Sequence, residues 1–333
     1  MIELKNYNGL LFVGDPHITI KHKRMRLDEN ICDTILNKIE QAVDIANKEN
    51  LYLVFLGDLF DDSKEQDYNM MTKLIRILNQ LRTPAATVEG NHEKTKTKLT
   101  DEVGLKLLQE AKCLYVMEKN DLWAKMKIDN KTYYIGSTPY GEKIPNEVNI
   151  PVKQGSGEII WLTHHNLDFG NSYPGVVPIH QIKNVSMLVN GHIHQTKKSK
   201  IIGNMVAHNP GNITRQTTDC NDHIPSVWKW IPEQKYELEP IVLKHEKHVF
   251  DLTGKQVLIN YDESDIPLDL TPQQSSSFVT HMQELQYNEP HQTQDGDYMA
   301  NTIKTFAKAI RTNDDFTQDI LDILKETMNS TSK

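Results

Sequence analysis

Gly9-Leu10-Leu11-Phe12-Val13-Gly14-Asp15-Pro16-His17 sets a short apolar run between glycines, followed at once by a carboxylate and an imidazole. An apolar run of this length, closed by a turn signal, reads as a buried strand. The pattern returns at residues 51–56, which run into Gly57-Asp58. Between the two, Ile31, Ile35, Ile39, Ala42, Val43 and Ala46 recur at helical spacing, so residues 29–49 are expected to form an amphipathic helix packed on the sheet. Strand, helix, strand in this order is a parallel βαβ unit and makes the fold class α/β.

Working outward, Met70, Met71, Leu74, Ile75, Leu78 and Leu81 give a second apolar helix face over residues 67–82. Strand-like runs follow at 85–89, 133–136, 159–163, 187–190 and 201–207. The later ones lack long intervening helices, which points to a mixed sheet or a two-sheet sandwich flanked by helices. Residues 1–245 form the expected main domain. Residues 246–300, rich in Asp, Gln, Ser and Pro over 262–298, read as a reduced cap or linker, and residues 301–333 as a helical segment with patterns at 301–311 and 314–328.

Composition narrows the class. With 38% apolar and 25% charged residues in 333, the chain is neither fibrous nor wholly disordered. No run approaches the ~18 apolar residues of a membrane span, and the start lacks the pattern of an export signal, so no membrane partner and a cytoplasmic location are expected. Three cysteines, odd in number and far apart, support neither a disulfide framework nor a zinc CxxC site. Fourteen histidines turn metal chemistry toward imidazole and carboxylate ligands.

The ends of the expected strands read Gly14-Asp15-Pro16-His17, Gly57-Asp58-Leu59-Phe60-Asp61, Gly90-Asn91-His92-Glu93, Thr163-His164-His165-Asn166 and Gly191-His192-Ile193-His194. Each fragment alone is weak, because a single histidine is more often a satisfied core residue than a ligand. Five in order, each after an apolar strand, meet the requirement that a motif sit in its structural context. Ligands bind at the carboxyl ends of strands in open α/β sheets, so the five segments could converge on one crevice.

This ordered set resembles the calcineurin-like metallophosphoesterase superfamily over roughly residues 8–215, with its D-x-H, G-D, G-N-H-[DE], isolated His and G-H-x-H pattern. The resemblance implies a four-layer α/β fold, a two-sheet β-sandwich flanked by helices, here with a small C-terminal cap or helical extension. It implies a dimetal phosphoesterase: Asp15, His17 and His194 on one metal, Asn91, His164 and His192 on the other, and Asp58 bridging both. His92 is then a catalytic histidine that touches substrate. Of the adjacent pair His164 and His165, the pattern favours His164; His208 reads as structural or as a support to the ligands. Two cations ~3.5–4 Å apart can share a hydroxide that attacks phosphorus, and a mixed N and O donor set fits Mn2+ best, with Fe or Zn as alternatives.

Charge bears on the substrate. Lys21, Lys23, Arg24 and Arg26 follow the first motif, Lys94, Lys96 and Lys98 the third, and Lys197, Lys198 and Lys200 the last. These acid-free segments carry +10, which leaves -18 for the rest of a chain whose net charge is -8. Such runs are either solvated surface or, placed after each metal motif, a binding surface for a phosphate backbone. The second alternative makes DNA the expected substrate, with a standalone phosphatase or nucleotide phosphodiesterase as the alternative.

Gly57-Asp58-Leu59-Phe60-Asp61 and Asn209-Pro210-Gly211-Asn212-Ile213-Thr214-Arg215 also resemble the SbcD-like nuclease subunits of DNA repair and recombination. That narrower resemblance implies a manganese-dependent exo/endonuclease, a homodimer and an SMC-like (SbcC-type) ATPase partner, with Arg215 added to the substrate-binding residues. The chain has no Gly-x-x-x-x-Gly-Lys-[Ser/Thr], so ATP use would belong to the partner. The last helical pattern, carrying Phe316, Ile320, Leu321, Ile323, Leu324 and Met328, either docks on that partner or packs on its own domain.

Overall fold

The computed structural model describes residues 1–251 apart from residues 24, 65–66, 95–98 and 171–175. The expected cap and the two C-terminal helices lie outside the described residues from 252 onward, as do Arg24, Lys96 and Lys98. In chain order the first half runs β1 (Ile2–Leu4), β2 (Gly9–Val13), α1 (Ile31–Glu49), β3 (Leu51–Phe55), α2 (Tyr68–Leu78), β4 (Ala85–Val88), α3 (Gly104–Glu110) and β5 (Leu114–Met117). The second half is almost all strand: β6 (Asp121–Ile128), β7 (Lys131–Thr138), β8 (Glu158–His164), β9 (Val185–Gly191), β10 (Lys197–Ile202), β11 (Met205–Asn209), β12 (Ser226–Trp230) and β13 (Glu239–Val242).

Two mixed sheets result. One has the order β13-β12-β2-β3-β4-β5, the other β1-β6-β7-β8-β9-β11-β10. In the first, β2, β3, β4 and β5 are parallel; in the second, β7, β8 and β9 are. Every residue of β2 and β3 is buried, as interior parallel strands require. Leu10, Phe12, Tyr52 and Val54 from one sheet pack with Ile160, Leu162, Met187 and Val189 from the other, so the inner core lies between the sheets. The helices cover the outer face of the first sheet, where Leu11, Leu53 and Phe55 meet Ile35, Ile39, Leu74 and Leu105. On the outer face of the second, Trp161, Leu188 and Ile159 pack under Ile144, Val148, Leu167 and Ile182 from the connecting segments.

Local chemistry explains the helix ends. Asn30 caps α1 by accepting from the N–H of Asp33, and Asn50 ends it in a left-handed conformation. Asp67 caps α2 in the same way through the N–H of Met70. The helix expected over 67–82 stops at Leu78, because the chain must turn through Thr83-Pro84 into β4, and the residue before a proline resists helical geometry. The single strand expected over 201–207 is instead an antiparallel hairpin, β10 and β11, turned at Gly203 with φ +60°.

One polar residue shares the buried stripe of α1. Lys38 is 4% exposed, and burial followed by the charges of Arg26 and Arg215 pushes its ammonium down to about 7. In the unfolded chain it titrates near ~10.4. Below pH 7 both states hold the proton and the folded state carries the whole burial penalty. Between the two values the unfolded state binds the extra proton, so stability rises with pH. Lys38→Met is therefore expected to raise the melting temperature most at or below pH 7 in phosphate-free buffer, with the gain fading toward pH 10. An equal gain at every pH in thermal melts would show that the amine carries no such penalty.

Candidate metal centre

The parallel strands of both sheets end at the same place. Asp15 and His17 follow β2, Asp58 follows β3, Asn91 follows β4, His164 ends β8 and His192 follows β9. Four of these turn sharply off their strands, with positive φ at Asp15 (36°), His17 (48°), Asp58 (48°) and His192 (75°). Left-handed backbone is costly for side-chain-bearing residues, least so for Asp, Asn and His, and it clusters at functional sites. Gly57, at φ +102°, brings the β3 turn against His164: a Cβ there would lie 2.3 Å from the Nδ1 of that histidine.

Donor atoms of Asp15, His17 and His194 form one group close enough to hold a metal ion, and those of Asp58, His164 and His192 a second, each within 4.8 Å. His17 and His194 face each other through Nε2 at 3.0 Å. His164 donates from Nδ1 to the carbonyl of Leu56 at 2.7 Å, which leaves its Nε2 lone pair toward Asn91 Oδ1 at 3.1 Å and Asp58 Oδ2 at 3.1 Å. His192 Nδ1 faces the same Asn91 oxygen at 3.0 Å. Asp58 Oδ2 is also 3.5 Å from His17 Nε2, so one carboxylate oxygen stands between the two groups. His165 points elsewhere, its Nε2 to the carbonyl of Glu142 at 2.9 Å, with burial pushing it down to about 4. His208 bridges Ser199 and the carbonyl of Tyr236 and is structural.

Lone pairs aimed at one another in a buried site call for a cation or a proton. Burial raises Asp15, and its Oδ2 is buried without a partner. Burial would also raise Asp58, but His164, His92 and His17 outweigh it and hold the carboxyl well below the usual range. Burial opposes protonation of His164, yet Asp58 and Asp15 pull it up to about 10. His194, buried beside His17, is held well below the ordinary histidine value and stays a neutral donor. The residues fit a pair of divalent cations: imidazole, carboxylate and amide oxygen, with no lysine or arginine among the donors.

A third donor group, His17, Asp61 and His92, is less suited to a cation. Lys23 binds Asp61 Oδ2 at 2.6 Å, and His92 Nδ1 donates to the carbonyl of Asp61 at 2.6 Å. His92 instead stands edge-on to His17, ring centres 4.7 Å apart, while its N–H holds Asp58 Oδ1 at 3.0 Å.

A model of the family described as calcineurin-like phosphoesterase matches residues 10–196. The chain belongs to this family. A putative phosphoesterase, 078R, of Invertebrate iridescent virus 3 is 28% identical over 95 residues, 28% of this chain and 25% of that protein. Among solved structures, a 5'-nucleotidase precursor from Thermus thermophilus aligns with TM-score 0.44 and 12% identity, over 75% of this chain and 57% of that one. The NAD nucleotidase of Haemophilus influenzae aligns with TM-score 0.41 and 12% identity, over 83% of this chain and 60% of that one. The chain thus spans less than two thirds of the length of these relatives.

The chain supports the donor groups with residues to which sequence reading gave no role. Buried Glu93 accepts the N–H groups of Leu59 (2.6 Å), Asp58 (3.0 Å) and Gly90 (2.7 Å), tying the β3 and β4 turns together. Asn190 bonds Thr163, both backbone groups of His165, and Asn209, which joins the ends of β8 and β9. The Tyr140 ring lies 5.5 Å from that of His192. Glu93 was visible as the last letter of the third motif; nothing in the sequence marked Asn190 or Tyr140.

The basic residues are distributed differently from the expectation. Lys21 pairs with Asp62 at 2.8 Å and Lys23 with Asp61, while Lys94 sits between Glu89 (3.4 Å) and the carbonyl of Tyr140 (2.8 Å). Lys197, Lys198 and Lys200 are on β10, the edge strand of its sheet, not a loop; Lys200 reaches Asp168. Charged residues there also block strand addition. Arg26 and Arg215 are corrections. Both are buried: Arg26 grips Asp28 and the carbonyl of Arg215, and Arg215 bonds the carbonyls of Asn221, Glu246 and Lys247, so neither lies on an exposed phosphate-binding surface.

Asp58→Asn and His192→Ala should each lower the metal content of the purified chain by elemental analysis, whereas His165→Ala should not; full metal in either of the first two would refute the ligand assignment. Because His164 holds a proton up to about pH 10 in the absence of metal, metal binding at pH 7 should expel it. Calorimetric titration in buffers of different ionisation enthalpy is expected to count roughly one proton released per chain, and none would contradict the electrostatics.

Proposed function

We propose that the chain is a two-cation phosphodiesterase acting on nucleic acid. The observation that supports it most is the Asp58 carboxylate set between two donor groups, with His92 beside it. Two divalent cations, when bound, supply Lewis-acid stabilisation of phosphoryl charge and activate water for in-line displacement.

The chain's residues do the rest. Asp15, His17 and His194 would hold one cation and Asn91, His164 and His192 the other, with Asp58 set between the two groups. The carbonyl of Asp61 takes the Nδ1 proton of His92 and so fixes its ring, leaving Nε2 to hold a proton at the departing oxygen. Burial opposes the charged form of His92, but Asp58 and Asp61 raise it above the ordinary histidine value, which suits an acid. Among the described lysines, exposed Lys21 and Lys198 can turn to a phosphate backbone, since an exposed ion pair such as Lys21–Asp62 is held by only ~0–1 kcal/mol. Manganese as the native metal, pairing of two chains and an SMC-like ATPase partner belong to the same reading.

A phosphomonoesterase is the second reading. It is favoured by the acids that neutralise Lys21, Lys23 and Lys94, since a small substrate needs no long cationic track.

With manganese present, linear DNA and a generic phosphodiester should be cleaved faster than a generic phosphomonoester. The reverse preference without DNA cleavage would remove the nuclease reading and leave the phosphoesterase standing. His92→Ala should keep the metal content of the parent while lowering kcat by about 100-fold or more. Metal loss together with activity would make His92 a ligand instead.

A further inference from the structure

The turn that leaves β7 holds one aromatic ring beside the metal donors. β7 pairs in parallel with β8 as far as Thr138 and Thr163, so the chain leaves it next to His164. The corner is Pro139-Tyr140-Gly141-Glu142, closed by the N–H of Glu142 on the carbonyl of Pro139 at 3.2 Å, with Gly141 at φ +82°. A positive φ at the third residue marks a type II turn, and glycine supplies it without strain. Both backbone groups of Tyr140 are held as well: its N–H donates to the carbonyl of Glu89 at 3.0 Å, and its carbonyl accepts from Lys94 Nζ at 2.8 Å. Glu89 and Lys94 flank Asn91 and His92 in the chain, so the turn is tied to the segment that carries them.

The ring fixed in this way is not core. Tyr140 is half-buried and joins none of the three apolar clusters among the described residues. Its ring neighbours are imidazoles: His192 at 5.5 Å between centres and tilted by 37°, His165 at 6.1 Å and His164 at 6.2 Å. An aromatic side chain on an anchored backbone has little freedom left to lose, which favours stacking of a flat group on it.

Its place complements that of His92. His92 stands against His17 of the first donor group, ring centres 4.7 Å apart, whereas Tyr140 stands against His192 and His164 of the second. A phosphodiester carries two ester groups, and only one departs. With His92 at the departing oxygen, the retained group lies toward the second donor group, where Tyr140 is.

We propose that Tyr140 determines specificity for the retained ester group, favouring one that carries a flat ring, a nucleobase or an aryl group, which stacks on the tyrosine face. This rests on the phosphodiesterase reading. Two diesters that release the same phenolate test it: bis(para-nitrophenyl) phosphate retains an aryl group, and methyl para-nitrophenyl phosphate retains a methyl. In the manganese-loaded full-length chain, Tyr140→Ala should lower the ratio of kcat/KM for the aryl over the methyl diester by about 10-fold, through a higher KM for the aryl diester, as loss of a base–aromatic stack does. Tyr140→Phe should keep the parent ratio, and elemental analysis should find the parent metal content in both variants. An unchanged ratio, or metal lost from Tyr140→Ala, would make the ring a packing support of His192 and overturn the proposal while leaving the phosphodiesterase reading in place. A ratio lowered as far in Tyr140→Phe would assign the effect to the hydroxyl and overturn it too. A parent chain that hydrolyses para-nitrophenyl phosphate but neither diester would remove the phosphodiesterase reading itself, and the proposal with it.

Discussion

The Asp58 carboxylate, buried among histidines, is the constraint from which the rest of the site follows. It accepts the N–H of His92 through one oxygen and faces His17 and His164 through the other. A charge buried this deeply must be compensated, and imidazoles drawn from both sheets do so. The two sheets must therefore bring their strand ends to one level, and the chain must leave three strands in left-handed turns to aim its donors inward. Such backbone persists only where its surroundings over-determine it. Glu93 does that for the β3 and β4 turns, and Asn190 for the ends of β8 and β9.

The apolar runs and the helical stripe of α1 were legible because each reports burial on its own element. So was the order of the site motifs, since each donor ends a strand or follows one closely. Asp15, His17 and His194 lie in one donor group and Asp58, His164 and His192 in another, with Asn91 beside the second. What stayed hidden was relational. The stripe reading of α1 passed over Lys38, because nothing local says that a lysine in such a stripe is buried instead of extending its stem to water. The β10/β11 hairpin was legible in principle, since Gly203-Asn204 is a two-residue hairpin turn, but it was passed over inside an otherwise continuous β-like run. Short strands β1, β5, β12 and β13 owe their place to pairing with distant partners, a property no window of sequence contains.

Charge shows the same limit. Counted along the chain, the lysines after each motif form acid-free segments. In space Asp61 and Asp62, which belong to the β3 turn, reach across to the loop after His17 and pair with Lys23 and Lys21. Arg26 and Arg215, which look like the most suitable phosphate ligands by residue type, fasten backbone instead. Net charge of a segment is thus a poor guide to local potential, because at protein distances the opposing charge comes from other segments.

This redistribution bears on how the site selects its substrate. The loop that follows His17 is anchored at several points: Lys23 to Asp61, Arg26 to Asp28 and to the carbonyl of Arg215, and residues 25–27 to the carbonyl of Val249 and the N–H of Asp251. A loop fastened in this way offers a fixed wall, not a flexible clamp. The His92 ring against His17 and the Tyr140 ring against His192 add fixed faces beside the donors, so on the proposed reading shape, more than mobile charge, would set which substrate fits.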